Sequence, residues 1–166
     1  MWGTLLGCVR EGSFLKHDYD IDVGILAGDY ANKDTLIAAM RRRGYELASE
    51  RLYKLKFVHP ASRLWLDVDV LYRWNGRMIT SVESDGGQFK ASHFPLDAFD
   101  CLREMVFLDM RVFVPEPPET VLTSIYGDWR TPVRNYRSQH DLCNRLQIAP
   151  SEPRPRLPSF SDALQT

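Results

Sequence analysis

Residues Asp20-Ile21-Asp22-Val23-Gly24-Ile25 alternate polar and apolar, the period-two pattern of a half-buried strand. The strongest strand signal is the stretch Leu64 to Tyr72, an apolar run broken only by Asp67 and Asp69. Tyr45 to Val58 reads as two strands, the second being Tyr53 to Val58, and His59-Pro60 marks the turn that follows. Asn75-Gly76 is a hairpin signal leading into Met78 to Thr80. Arg111 to Val114 predicts a further short strand, and Pro117-Pro118 seats a helix through Thr120 to Tyr126. Helical spacing over Asp34 to Arg43 puts Leu36, Ile37 and Met40 together, with Asp34 as N-cap and Gly44 as the stop. Thr4 to Val9 reads as a short helix capped by Thr4, since Leu5, Leu6 and Val9 share a face. Beyond Asp85-Gly86-Gly87 the pattern is irregular, with one more helix expected over Gln139 to Leu146. The expected fold is α+β, a mixed sheet flanked by helices that lie mostly on one side. One domain is expected over residues 1–148, followed by a Pro-rich flexible tail over 149–166.

Composition adjusts this picture little and closes off several classes of function. The chain has 166 residues, 44% hydrophobic and 26% charged, which suits a single globular core. Its 21 basic and 22 acidic residues nearly cancel, so no bulk electrostatic grip on nucleic acid is expected. The short run Arg41-Arg42-Arg43 is read as a solvated helix end, where cations suit the dipole. Cys8, Cys101 and Cys143 have no CxxC spacing, so neither a disulfide framework nor a zinc site follows, and free thiols point to a reducing compartment. No apolar run reaches the ~18 residues of a membrane span, and no signal peptide is read at the start. A cytoplasmic protein is expected.

The chemistry is carried by carboxylates. Asp20 and Asp22, two apart on a strand, project from the same face. Two carboxylates held together repel, more so when buried, unless a positive charge sits between them. A hard divalent cation with oxygen ligands, Mg²⁺ or Mn²⁺, is the natural candidate. Asp18 adds an acid just upstream. Asp67 and Asp69 form a second pair in an apolar strand, where aspartate is otherwise depleted. If the two strands are neighbours, three or four carboxylates converge on a phosphate site.

The ordered set Gly3-Thr4-Leu5-Leu6-Gly7-Cys8-Val9-Arg10, Phe14, Asp18-Tyr19-Asp20-Ile21-Asp22-Val23, the strand holding Asp67 and Asp69, and Tyr126-Gly127-Asp128-Trp129-Arg130-Thr131-Pro132 is similar to the LicD and fukutin-related phosphotransferases. The resemblance spans roughly residues 2 to 136 and implies a nucleotidyltransferase-like fold. It implies that Gly3 and Thr4 form a small-residue turn beside the donor phosphates. It also implies that Asp20, Asp22 and a third carboxylate hold the metal and carry catalysis. Asp69 is the first choice for the third, because Val68-Asp69-Val70 aligns best with the family's strand; Asp67 and Asp18 are the runners-up. The helix that the family places before Gly3 is expected to be missing. In family members the donors are CDP-linked choline, ribitol or glycerol. The expected reaction moves the phospho-group to a sugar or polyol hydroxyl of a glycan and releases CMP. Expected partners are that CDP-linked donor and a glycan, teichoic-acid-like or lipid-linked acceptor, which would place the protein at the inner face of a membrane.

Arg10 reads equally as a phosphate contact and as an ion-pair partner of Glu11 or Asp18. Lys54 and Lys56 share a strand face, and Lys56 is expected to reach phosphate if that face is not simply the wet one. Trp129 is expected to stack on a base or sugar, against the alternative of a packed helix stop. His17 is weaker evidence, and Trp65 and Trp74 read as core and strand-end residues. Two further readings stand beside the phosphotransferase: a nucleotidyltransferase that moves a nucleoside monophosphate, and an inactive or truncated module that binds a nucleotide.

Overall fold

The computed structural model describes residues 1–51, 53–85, 88–134, 136, 142–149 and 151–152, with backbone only at 82–85 and 88–89. Helix α1 (Trp2–Leu6) starts two residues earlier than the capping pattern suggests and runs into a wider π-helical turn over Gly7–Glu11. Gly3 and Thr4 therefore lie inside a helix, not in a turn. Next come β1 (Asp20–Leu26), α2 (Ala27–Tyr30) and α3 (Lys33–Arg42). Asn32, rather than Asp34, sits at the cap of α3, and Asp34 falls in its first turn, where a negative charge suits the dipole. The chain then forms β2 (Glu46–Arg51), β3 (Lys54–His59) and the long β4 (Leu64–Trp74). Asn75 and Gly76, both with positive φ, make the tight turn into β5 (Arg77–Asp85).

Two strands went unread in the sequence, β6 (Gln88–Phe94) and β7 (Leu102–Phe107). Small and polar residues interrupt the apolar alternation of β6, and β7 turns Leu102 and Val106 to solvent. After β8 (Met110–Pro115), helix α4 (Pro118–Tyr126) opens at its proline as expected. Where a helix is expected up to Leu146, the structure has β9 (Arg145–Ile148), which pairs with the edge of β6. Residues 139–141 of that expected helix, and 153–166 of the tail, lie outside the described residues.

The seven-stranded sheet runs β2-β3-β4-β5-β6-β9, with β1 added parallel to β4. Strand β4 is shared. It pairs with β3 along Leu64–Asp69 and with β1 along Trp65–Leu71, and its last residues Tyr72–Trp74 pair with β5. Helices cover both faces, which corrects the one-sided expectation. Leu5, Leu6, Leu71, Phe94, Leu122 and Ile125 form a core with α1 and α4. On the opposite face, Ile37 of α3 packs with Leu55, Phe57, Val68 and Val70. Strands β7 and β8 form a separate hairpin, fastened by the edge-on contact of Phe107 with Phe14 at 4.9 Å. Its outer residues Val106 and Phe113 remain 74% and 71% exposed. No helix among the described residues is long and apolar enough to cross a membrane.

Candidate active site

The parallel register of β1 on β4 pairs Asp22 with Asp67, Asp20 with Trp65 and Gly24 with Asp69. Because side chains alternate along a strand, Asp20, Asp22, Asp67 and Asp69 all fall on one face. Helix α1 crosses that face, and its sequence allows a close approach. A Cβ on Gly3 would collide with the Asp18 carboxylate, and one on Gly7 would sit 2.5 Å from the Ser13 carbonyl oxygen. The Thr4 hydroxyl accepts a hydrogen bond from the Asp22 amide at 2.9 Å, tying α1 to the strand rather than facing a ligand.

Asp20, Asp22 and Asp67 each offer an oxygen, and the three oxygens lie within 4.8 Å of one another. That spacing and an all-oxygen donor set fit a hard divalent cation. Asp22 and Asp67 are buried, and one oxygen of Asp67 and Oδ2 of Asp18 are buried without a hydrogen-bond partner among the described residues. Burial pushes the Asp22 carboxyl up to about 7; the charges of Asp20 and Asp69 add to this, while the amino terminus and Lys54 work against it. Asp18 is raised to about 6, mainly by burial and then by the charge of Asp20 and a hydrogen bond to it.

Asp69, the expected third ligand, is placed differently. It is fully buried, and its oxygens accept from Trp2 Nε1 at 2.7 Å and Ser81 Oγ at 3.0 Å. Both donors sit in left-handed backbone (φ 42° and 51°), and Ser81 lies at the β5–β6 register shift. A bulge of this kind re-aims a side chain. Lys54 Nζ stands 2.9 Å from Asp67 and 3.5 Å from Asp69. Although burial works to lower its pKa, the two carboxylates hold Lys54 above the ordinary lysine value. Lys56 is 3.3 Å from Asp67 and lies over the Trp65 ring at 5.0 Å. Both lysines thus pair with carboxylates while staying partly exposed.

A cleft of about 940 Å³ opens over this face. Asp18, Asp20, Asp22, Lys54 and Asp67 line one part, and Trp129, Tyr126 and Tyr136 another. Trp129 is buried, with no partner for its Nε1 among the described residues and with Arg130 stacked over its ring at 4.2 Å. Arg10 pairs with Glu11 at 2.7 Å and donates to the Trp129 carbonyl at 2.9 Å, so it braces that loop. His17 and Gly3 also line the cleft. Ser81 and Arg145 escaped the sequence reading. Trp2 carried a signal only as a tryptophan set directly before the glycine signature, and Tyr126 only as the first residue of the Tyr126 to Pro132 motif.

The raised carboxyls have a measurable consequence. Between pH 4 and 7 the metal-free fold binds more protons than the unfolded chain, so its stability falls as pH rises through that window. Moving Asp22 from 3.8 to about 7 corresponds to a loss on the order of 4 kcal/mol once it is ionised. Thermal melts in chelator are expected to show a declining midpoint from pH 4 to 8, and Mn²⁺ at pH 8 is expected to restore it.

Known proteins place the chain. Residues 1–117 match the nucleotidyltransferase domain of LicD/FKTN/FKRP. Uncharacterised proteins of Rickettsia prowazekii and Rickettsia typhi are 24% and 22% identical over 76% of this chain. The chain spans about half or less of those relatives, 46% and 38% of their lengths. A crystal structure of a lincosamide antibiotic adenylyltransferase with lincomycin bound aligns with 72% of this chain and 67% of its own, at 16% identity and a TM-score of 0.43. With a family domain matched over most of its length, the chain belongs to the LicD/FKTN/FKRP nucleotidyltransferase-domain family.

Proposed function

We propose that this protein is a metal-dependent phosphotransferase that moves a phospho-alditol or phosphocholine group from a CDP-linked donor to a sugar or polyol hydroxyl, releasing CMP. The observation that carries the reading is the set of three carboxylate oxygens within 4.8 Å, on adjacent strands under a 940 Å³ cleft. Asp20, Asp22 and Asp67 would hold Mg²⁺ or Mn²⁺ in this reading, and a cation there would supply the positive charge that offsets a donor diphosphate and favours in-line displacement. Asp18 takes the proton of the attacking hydroxyl, because its Oδ2 is buried, lines the cleft and accepts no hydrogen bond. Lys54 keeps Asp67 and Asp69 oriented, and the Trp129 indole N–H is left to bind the donor or acceptor. Glycan acceptors, and work at the inner face of a membrane, belong to the same proposal.

The test is incubation with Mn²⁺ and CDP-choline, CDP-glycerol or CDP-ribitol, with candidate glycans. Metal-dependent CMP release is expected with one of these donors. Pyrophosphate release from CTP without CMP would move the assignment to a nucleotidyltransferase. Metal-dependent CDP binding by calorimetry without either product would leave a nucleotide-binding module.

A further inference from the structure

A second cavity, of about 460 Å³, lies outside the carboxylate cleft. Four elements meet there: the β4–β5 turn with Arg77, the end of β6 with His93, α4 with Ser124, and the turn that holds Asn144. The backbone fixes this convergence, since the His93 amide donates to the Asn144 carbonyl at 2.9 Å and the Cys143 amide to the Ile125 carbonyl at 2.8 Å. Asn144 is only 2% exposed, and neither its Nδ2 nor its Oδ1 has a hydrogen-bond partner among the described residues. Native folds seldom leave both ends of a buried amide unmet. Arg77 is exposed on the wall and pairs with no carboxylate among the described residues. Burial and the Arg77 charge both lower the His93 pKa, which favours a neutral imidazole able to donate and accept.

We propose that this cavity is a second binding site for a small hydroxylated anion, with Arg77 taking the anionic group and the Asn144 amide and His93 reading an adjacent hydroxyl. A guanidinium matches phosphate or carboxylate by bidentate contact. An amide with both a free donor and a free acceptor matches a hydroxyl, which is likewise both. Polyol phosphates and hydroxy acids share this chemistry. The site stands apart from the proposed reaction but touches it mechanically. Asn144 adjoins Arg145, and Ser124 lies one residue from Ile125 and two from Tyr126; Arg145 and Tyr126 both line the carboxylate cleft.

The experiment is a heteronuclear NMR titration of the full chain in chelator with glycerol phosphate, glycerate, inorganic phosphate and glycerol. The Asn144 side-chain amide and His93 ring report on the cavity, and the Trp129 indole N–H reports on the cleft. Glycerol phosphate or glycerate is expected to shift Asn144 and His93, and which of the two binds more tightly identifies the anion. Arg77→Gln, an exposed change that leaves the core alone, is expected to weaken that binding by about tenfold or more. The proposal is overturned if Asn144 is unmoved by every probe, if only Trp129 responds, if neutral glycerol acts equally well, or if Arg77→Gln changes nothing.

Discussion

Asp22→Asn is expected to make the metal-free protein more heat-stable and to abolish its metal-dependent transfer in the same molecule. The substitution keeps the shape of the side chain and deletes the charge that burial and the Asp20 and Asp69 carboxylates oppose. At pH 8 that relief is a few kcal/mol at most, or a melting point raised by roughly 5 °C for a chain of this size. At pH 5, where Asp22 is already protonated in the fold, the gain should largely vanish. Transfer should fall by about 10³-fold or more, the scale on which losing one preorganised electrostatic group acts. Melts in chelator at both pH values, beside CMP release in Mn²⁺, check the two arms. A mutant that turns over normally would remove the metal site from the mechanism, whatever its melting point.

Asp67 and Asp69 are expected to separate into a ligand and a brace. Asp69→Ala strips a fully buried carboxylate from Trp2 Nε1, Ser81 Oγ and Lys54 at once. Breaking a buried, paired charge in this way costs about 3–5 kcal/mol, which should lower the melting point by roughly 10 °C. Asp67→Asn leaves two partly exposed lysines, and Lys54 still faces Asp69, so the fold should suffer little. Mn²⁺ affinity measured by electron paramagnetic resonance should then collapse in Asp67→Asn and persist in Asp69→Asn, whose amide oxygen can still accept from the Trp2 indole N–H while its NH2 donates to the Ser81 hydroxyl. The reverse pattern would return Asp69 to the metal and make Asp67 the lysines' counter-charge.

That contrast also locates what could be read from the chain alone. Alternation announced β1, an apolar run announced β4 over Leu64 to Tyr72, and a spacing of two put Asp20 with Asp22 and Asp67 with Asp69 on their strand faces. Choosing between Asp67 and Asp69 needs the register between strands more than forty positions apart, and no local pattern encodes it. Lys54 and Lys56 looked equally like a wet strand face. Cross-strand pairing with Asp69 and Asp67 made them counter-charges instead. Thr4 was read as a helix cap or phosphate contact because both are local roles; its bond to the Asp22 amide is tertiary. The glycines of the opening signature make sense only once Asp18 and Ser13 are seen against α1. Helices on both faces, and β6 and β7, were hidden for a related reason: small, polar or solvent-facing residues blur the periodicity.

Strand β4 joins both halves of the sheet, and its parallel seam with β1 closes a long stretch of intervening chain. Contacts so distant in sequence pay their loop-closure entropy before they return any energy, so they slow folding. Here the residues that meet at that seam are also like charges. Assembly of the carboxylate cluster therefore coincides with the slow topological step, and a divalent cation present during refolding should speed the search as well as deepen the final well.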